Sequence, residues 1–168
     1  PSGGGVTVTG GEPLLQTKFL VTLFKELKKR NIPTAIDTSG MFDITDDIKE
    51  LLKFTDLVLL DIKHIDSTKC KDLVGFSNEK ELAFAKYLSD NNIDIWIRQV
   101  LIPGITDDEN DLLKLKDFIS TLKTVKKIEI NPYHELGKFK WEKLGLKYPL
   151  EGVRPADSKD VDRAKKIL

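Results

Sequence analysis

Two glycines and a carboxylate, Gly10-Gly11-Glu12, follow the opening Gly3-Gly4-Gly5 run and a short β-branched stretch, Val6-Thr7-Val8-Thr9. At a strand end this triplet reads as a ligand loop. Glycines let backbone N–H and C=O groups approach a bound molecule with no Cβ in the way, and Glu12 adds a fixed charge or hydrogen-bond acceptor. A tight strand-to-helix turn uses the same residues, so the triplet alone leaves both readings open. Other chemistry-bearing groups follow along the chain: Asp37 with Thr38, Asp61 with Lys63, Arg98, and Asn131 with Tyr133 and His134. Asp61 follows the apolar Leu57-Val58-Leu59-Leu60 and precedes Ile62, which places its carboxylate near a buried edge, where it needs a cation or several donors. Lys63, on the same side of a strand, can neutralise it, with a structural ion pair as the plain alternative. His134 lies in Asn131-Pro132-Tyr133-His134-Glu135-Leu136-Gly137-Lys138, where a histidine can bind a ligand, carry a proton or fix the loop. His64 should point the other way and be incidental.

The elements that must position these groups alternate. Val6–Thr9 is a strand, and Gln16–Arg30 is an amphipathic helix with Phe19, Leu20, Leu23, Phe24 and Leu27 at helical spacing. Pro33–Asp37 is a second strand, followed by a helix over Asp46–Phe54. Leu57–Ile62 is apolar without alternation, as expected of a central strand covered on both faces. A short helix is expected over Thr68–Val74. Asn78 with Glu81 forms a capping-box pattern before a helix to about Asp90. Ile93–Ile102 is the fourth strand, stopped by Pro103-Gly104, and Thr106 with Glu109 is expected to cap a helix to Leu122. Lys127–Asn131 is the fifth strand. A long irregular segment, Tyr133–Ala156, precedes a last helix from about Ser158. The fold class is therefore α/β with about five β-α units, in either a doubly wound open sheet or part of a β/α barrel. In both, functional residues gather at the carboxyl ends of the strands, where the groups above fall.

Composition narrows the class. With 168 residues, 40% hydrophobic and 32% charged, the chain suits one globular domain over residues 1–168. Lysine plus arginine equals aspartate plus glutamate at 27 each, so no global field favours nucleic acid or an anionic membrane. No apolar run approaches the roughly 20 residues of a bilayer span, and no secretory pattern opens the chain, so a cytoplasmic location is expected. The single cysteine, Cys70, forms no internal disulfide and cannot by itself hold a zinc ion or an iron-sulfur cluster. A chain that opens at Pro1 and meets a strand within a few residues reads as a fragment truncated at its N-terminus.

Gly4-Gly5-Val6-Thr7 through Gly10-Gly11-Glu12, Asp37-Thr38-Ser39-Gly40, Leu60-Asp61-Ile62-Lys63, Trp96-Ile97-Arg98, Pro103-Gly104 and Asn131 to Lys138 together resemble the pyruvate formate-lyase activating enzyme family, radical S-adenosylmethionine proteins that activate glycyl radical enzymes. The resemblance covers essentially the whole chain in order. It implies an incomplete parallel β/α barrel, a partial TIM barrel. In such a barrel a reduced [4Fe-4S] cluster cleaves S-adenosylmethionine, and the resulting 5′-deoxyadenosyl radical takes hydrogen from a glycine of the partner. By matching position, Gly10, Gly11 and Glu12 would receive the methionyl amino group. Asp61, Ile62, Lys63 and His134 would complete the cofactor contact. Asp37, Thr38 and Asp61 would form a monovalent-cation site, and Arg98 would face the cofactor or the incoming glycine loop. The implied partners are that glycine loop of pyruvate formate-lyase, or of another glycyl radical enzyme, and a reductant such as flavodoxin. The family's three cluster cysteines have no counterpart here, so no catalytic residue is assigned and the chain alone is expected to be inactive. Two other classes stay open. One is a cluster-free β/α enzyme using Asp61, Lys63 and His134. The other is a binding domain presenting Trp96, Tyr133, Phe139 and Trp141.

Overall fold

The structure is a computed structural model and describes residues 4–168; Gly3 of the opening glycine run lies outside them. Five parallel strands, β1 (Val6–Val8), β2 (Thr34–Thr38), β3 (Leu57–Asp61), β4 (Asp94–Leu101) and β5 (Val125–Pro132), lie side by side in sequence order. That order resolves the choice left open by periodicity. A doubly wound sheet reverses its strand order at a switch point, whereas sequential neighbours wind in one sense, as in a barrel wall. The helices are α1 (Thr17–Lys29), entered through a 3-10 turn at Pro13–Gln16, α2 (Asp46–Leu52), α3 (Ser67–Val74), α4 (Glu79–Asp90), α5 (Glu109–Ser120), α6 (Lys138–Lys143) and α7 (Ser158–Ile167).

Burial alternates along the middle strands with the period of a pleated strand. Ile36, Val58, Leu60, Ile95 and Ile97 are fully buried and share one core with Leu20 and Phe24 of α1, Ile48, Leu51 and Leu52 of α2, and Phe84, Ala85 and Leu88 of α4. Ala35, Asp37, Leu57, Leu59, Asp61, Trp96 and Arg98 line the opposite, half-buried face. β3 is central, as expected, but it is covered by helices on one face only. A smaller cluster of Leu101, Leu112, Ile130 and Ala164 seats α7 against α5 and β5. Phe19, expected on the buried stripe of α1, is instead 62% exposed, because Leu20 and Phe24 define the inward direction and Phe19 falls to the side of it.

Several caps differ from expectation. Asn78 makes no side-chain cap on α4; its amide donates to the carbonyls of His64 and Ile65 at 2.9 and 2.6 Å. α5 is capped by Asp108, which accepts from the Asp111 N–H, while the Thr106 hydroxyl ties the preceding turn by accepting from Ile102 N and donating to Val100 O. The segment after β5 is not wholly irregular, since it contains α6. Gly40, after β2, has φ +69°, and an added Cβ would lie 2.7 Å from Leu60 Cδ1 and 3.4 Å from both Glu81 Cα and Phe84 Cδ1. Gly40→Ala is expected to cost about 2 to 4 kcal/mol from the left-handed backbone and the crowded core together, measurable by urea denaturation.

Candidate functional site

β2, β3 and β4 deliver their polar residues to one place because their register aligns them. Asp61 stands opposite Arg98, and Asp37 lies on the same half-buried face one strand away. The Arg98 guanidinium bridges the two carboxylates. Its Nε donates to Asp61 Oδ1 at 2.7 Å, its Nη1 donates to Asp37 Oδ2 at 2.9 Å, and its Nη2 reaches Asp37 Oδ1. Lys63 Nζ donates to Asp61 Oδ2 at 2.7 Å, and the Thr9 hydroxyl at the end of β1 donates to Asp37 Oδ2 at 3.1 Å. The Arg98 side chain is only 17% exposed. Burial alone would lower its pKa, but hydrogen bonding to Asp37 and the charges of both aspartates raise it, so the arginine is firmly cationic.

Glu12 is held differently. Its Oε1 accepts from Leu14 N at 3.2 Å and from the Thr38 hydroxyl at 2.7 Å, while Oε2 accepts from Ser39 N at 3.1 Å and Ser39 Oγ at 2.8 Å. These four bonds fill the lone-pair capacity of a carboxylate. All come from neutral donors, and among the described residues no cation pairs with it. The carboxylate thereby pins the Gly10-Gly11 turn to the loop after β2. Gly10 and Gly11, with φ +91° and +52°, are left exposed with open space where a side chain would stand. Glu12, Asp37 and Asp61 against Arg98 and Lys63 leave one negative charge at the rim. Asp37 and Asp61 are balanced by the two cations, so the surplus rests on Glu12.

The structure therefore brings Gly10, Gly11, Glu12, Asp37, Asp61, Lys63 and Arg98 to the carboxyl end of the sheet. The other expected site residues are placed otherwise. Ile62 is 1% exposed in the core beneath the helices, with its N–H given to Arg98 O at 3.0 Å, so its side chain is turned away from the rim. Thr38 alternates to the buried face and serves Glu12. The three residues expected to share a monovalent cation are thus divided, with Asp37 and Asp61 on the guanidinium and Thr38 elsewhere. Among the described residues no group of three or more His, Cys, Asp or Glu could hold a metal ion. His134 is exposed just beyond β5, its Nδ1 accepting from Leu136 N at 3.4 Å, and makes no hydrogen bond to the rim cluster. His64 points away from the rim, as expected, but is not incidental: it is buried with Nε2 on Ile105 O at 3.1 Å and Nδ1 accepting from Asp66 N at 3.0 Å. Thr9 joins the network with no signal in the sequence beyond its place at the end of the first strand. Ser39, which donates to Glu12, is signalled by its place in the Asp37-Thr38-Ser39-Gly40 motif.

The rim suits a zwitterion bearing an extra positive charge. Glu12 supplies uncompensated negative charge, Arg98 and Lys63 supply donors for a carboxylate, and the open Gly10-Gly11 backbone permits close approach. An iron-sulfur cluster does not fit the residues present. Cys70 is fully buried in α3, where burial above all pushes its thiol up to about 11.

The Radical SAM superfamily model matches residues 2–115. The chain is 54% identical to the pyruvate formate-lyase-activating enzyme of Staphylococcus epidermidis, over 97% of this chain and 67% of that protein. It is 48% identical to the enzyme of the same name from Streptococcus mutans, over 98% of this chain and 65% of the relative. It therefore spans about two thirds of the length of these curated relatives. Among solved structures, a domain of pyruvate-formate lyase-activating enzyme from Bacteroides vulgatus superposes with a TM-score of 0.80 at 25% identity, covering 98% of this chain and 92% of that one. Streptococcus suis SuiB bound to S-adenosylmethionine shares the fold at a TM-score of 0.69 and 20% identity, over 96% of this chain and 33% of SuiB. On these matches the chain belongs to the radical SAM superfamily, within the pyruvate formate-lyase-activating enzyme family.

Proposed function

We propose that this chain carries the S-adenosylmethionine-binding rim of a pyruvate formate-lyase activase working in the cytoplasm. The observation that carries the reading is the surplus negative charge on Glu12 beside the balanced Asp37, Asp61, Arg98 and Lys63 network, at the sheet end where this fold gathers its chemistry. When bound, S-adenosylmethionine would supply a sulfonium open to reductive cleavage, with the electron coming from a cluster that the residues of this chain do not hold. The protein groups bind and orient. Glu12 attracts the ammonium, the Gly10-Gly11 backbone lets the methionyl end lie close, and Lys63 and Arg98 face the carboxylate. A monovalent cation beside that carboxylate would compete with Arg98 for oxygens of Asp37 and Asp61. The partner is pyruvate formate-lyase through its glycine loop, with flavodoxin or a similar donor as reductant.

Isothermal titration calorimetry tests the reading. The chain should bind S-adenosylmethionine, and because the lone pairs of Glu12 are already taken, Glu12→Gln removes only through-space attraction and should weaken binding by about threefold to tenfold, on the order of 1 kcal/mol. Equal affinity in the variant would remove Glu12 from the site, and no binding by the parent chain would remove the site itself. We also propose that this chain alone does no radical chemistry, because a lone buried thiol cannot ligate a cluster. Anaerobic treatment with iron and sulfide followed by formation of 5′-deoxyadenosine at the rate of a three-cysteine relative would overturn this.

A further inference from the structure

Glu81 lies in the first turn of α4 and is 0% exposed, although a glutamate is almost never fully buried without a partner. Its Oε1 accepts from Lys63 N at 3.3 Å, and its Oε2 has no hydrogen-bond partner among the described residues. Asn78, one turn before it, holds the carbonyls of His64 and Ile65. The same turn touches the other rim loop, since Glu81 Cα and Phe84 bound the space over Gly40. The start of α4 thus lies beneath two loops at once. One carries Ser39, which grips Glu12, and the other carries Lys63, which neutralises Asp61. The charged and titratable groups that act on Glu81 are Lys63 and Asp61 from the end of β3 and Cys70 from α3. Burial raises its carboxyl to about 8, which keeps it an uncharged acid at neutral pH.

We propose that Glu81 is a positioning residue for the cofactor rim: by holding the Lys63 backbone from below, it fixes the ammonium on Asp61 and so sets the charge balance that S-adenosylmethionine meets. The proposal rests on the reading of the rim as the S-adenosylmethionine site. Glu81 itself touches no ligand; it acts through Lys63. A carbonyl-bearing side chain of the same shape can do this, whereas an aliphatic side chain of similar volume fills the space and leaves the Lys63 N–H without its acceptor.

The test compares Glu81→Gln with Glu81→Leu in the full 168-residue chain, with Glu81→Met as a second, more adaptable variant should leucine prevent folding. Amide hydrogen exchange at Lys63, resolved by NMR, is read without ligand, and S-adenosylmethionine affinity is read by calorimetry. We expect the Lys63 amide to exchange about tenfold faster in the leucine or methionine variant while amides of β4 keep their protection, with affinity reduced about tenfold. Glutamine should restore both to within about twofold. Unchanged Lys63 exchange in the aliphatic variants overturns the proposal, as does an altered amide with unaltered affinity. If the parent chain binds no S-adenosylmethionine, the cofactor reading fails and takes the ligand part with it, while the exchange data still decide whether Glu81 holds Lys63.

Discussion

Arg98→Ala should destabilise the fold by about 3 to 5 kcal/mol, one of the two largest effects expected of a single change in this chain. The guanidinium is 17% exposed and the Asp37 and Asp61 side chains 22% and 21%, so removing it strands two largely buried carboxylates side by side. Lys63 can still reach Asp61, but among the described residues Asp37 keeps only the Thr9 hydroxyl. Arg98→Lys should recover only part of the loss, because one ammonium cannot reproduce a fork that reaches both carboxylates. Adding Asp37→Asn and Asp61→Asn to Arg98→Ala should recover more than the lysine does, since it removes the stranded charge itself. Urea denaturation of the four proteins measures this. An Arg98→Ala chain within about 1 kcal/mol of the parent would mean that water reaches these carboxylates freely.

The second large effect depends on pH. Glu81 is ordinary in the unfolded chain, near 4.5, and is pushed up to about 8 by burial in the folded one. Between those values the folded state holds a proton that the unfolded state has lost. Stability from this group is therefore fully present below about pH 4.5 and is lost progressively as pH rises through about 8, by an amount on the order of 5 kcal/mol. Other groups titrate too, so the quantity to measure is the difference between the parent and Glu81→Gln at each pH. That difference should favour glutamine increasingly up to about pH 8 and then level off. A difference that stays flat from pH 5 to 9 would show that Glu81 ionises normally in the fold.

What the sequence disclosed and what it hid follow from the range of the forces involved. Helical spacing in Leu20, Phe24 and Leu27 and the apolar run Leu57–Leu60 are local signals, and both located their elements to within a residue or two. The gathering of polar groups at strand ends was also legible, because every parallel strand delivers its last residues to the same rim. The pairing of Asp37 with Arg98 was not. Those residues are 61 apart in sequence, and their meeting depends on two strand registers that no local pattern encodes. Asn78 and Glu81 show the opposite failure, in which a good local motif was overridden. Their spacing fits a helix cap, but the loop after β3 needed partners for the Lys63 N–H and the carbonyls of His64 and Ile65, and both side chains went there instead. Ile62 was placed at the site through its neighbours Asp61 and Lys63, although alternation along a strand sends it to the opposite face. The short helix Lys138–Lys143 lies among exposed side chains, with no buried stripe to give it a periodic signature.

The network joining Asp37, Asp61 and Arg98 also acts as a proofreading device for assembly of the sheet. Sliding β3 by one residue against its neighbours would turn Asp61 under the helices and bring Leu60 out to the open face, while Arg98 would lose one of its two counter-ions. Apolar strands such as Leu57–Leu60 have little else to distinguish one alignment from the next, since leucine fits either side. The misaligned sheet therefore pays in unpaired buried charge where the native one does not, and correct alignment is selected by the same residues that make the rim usable.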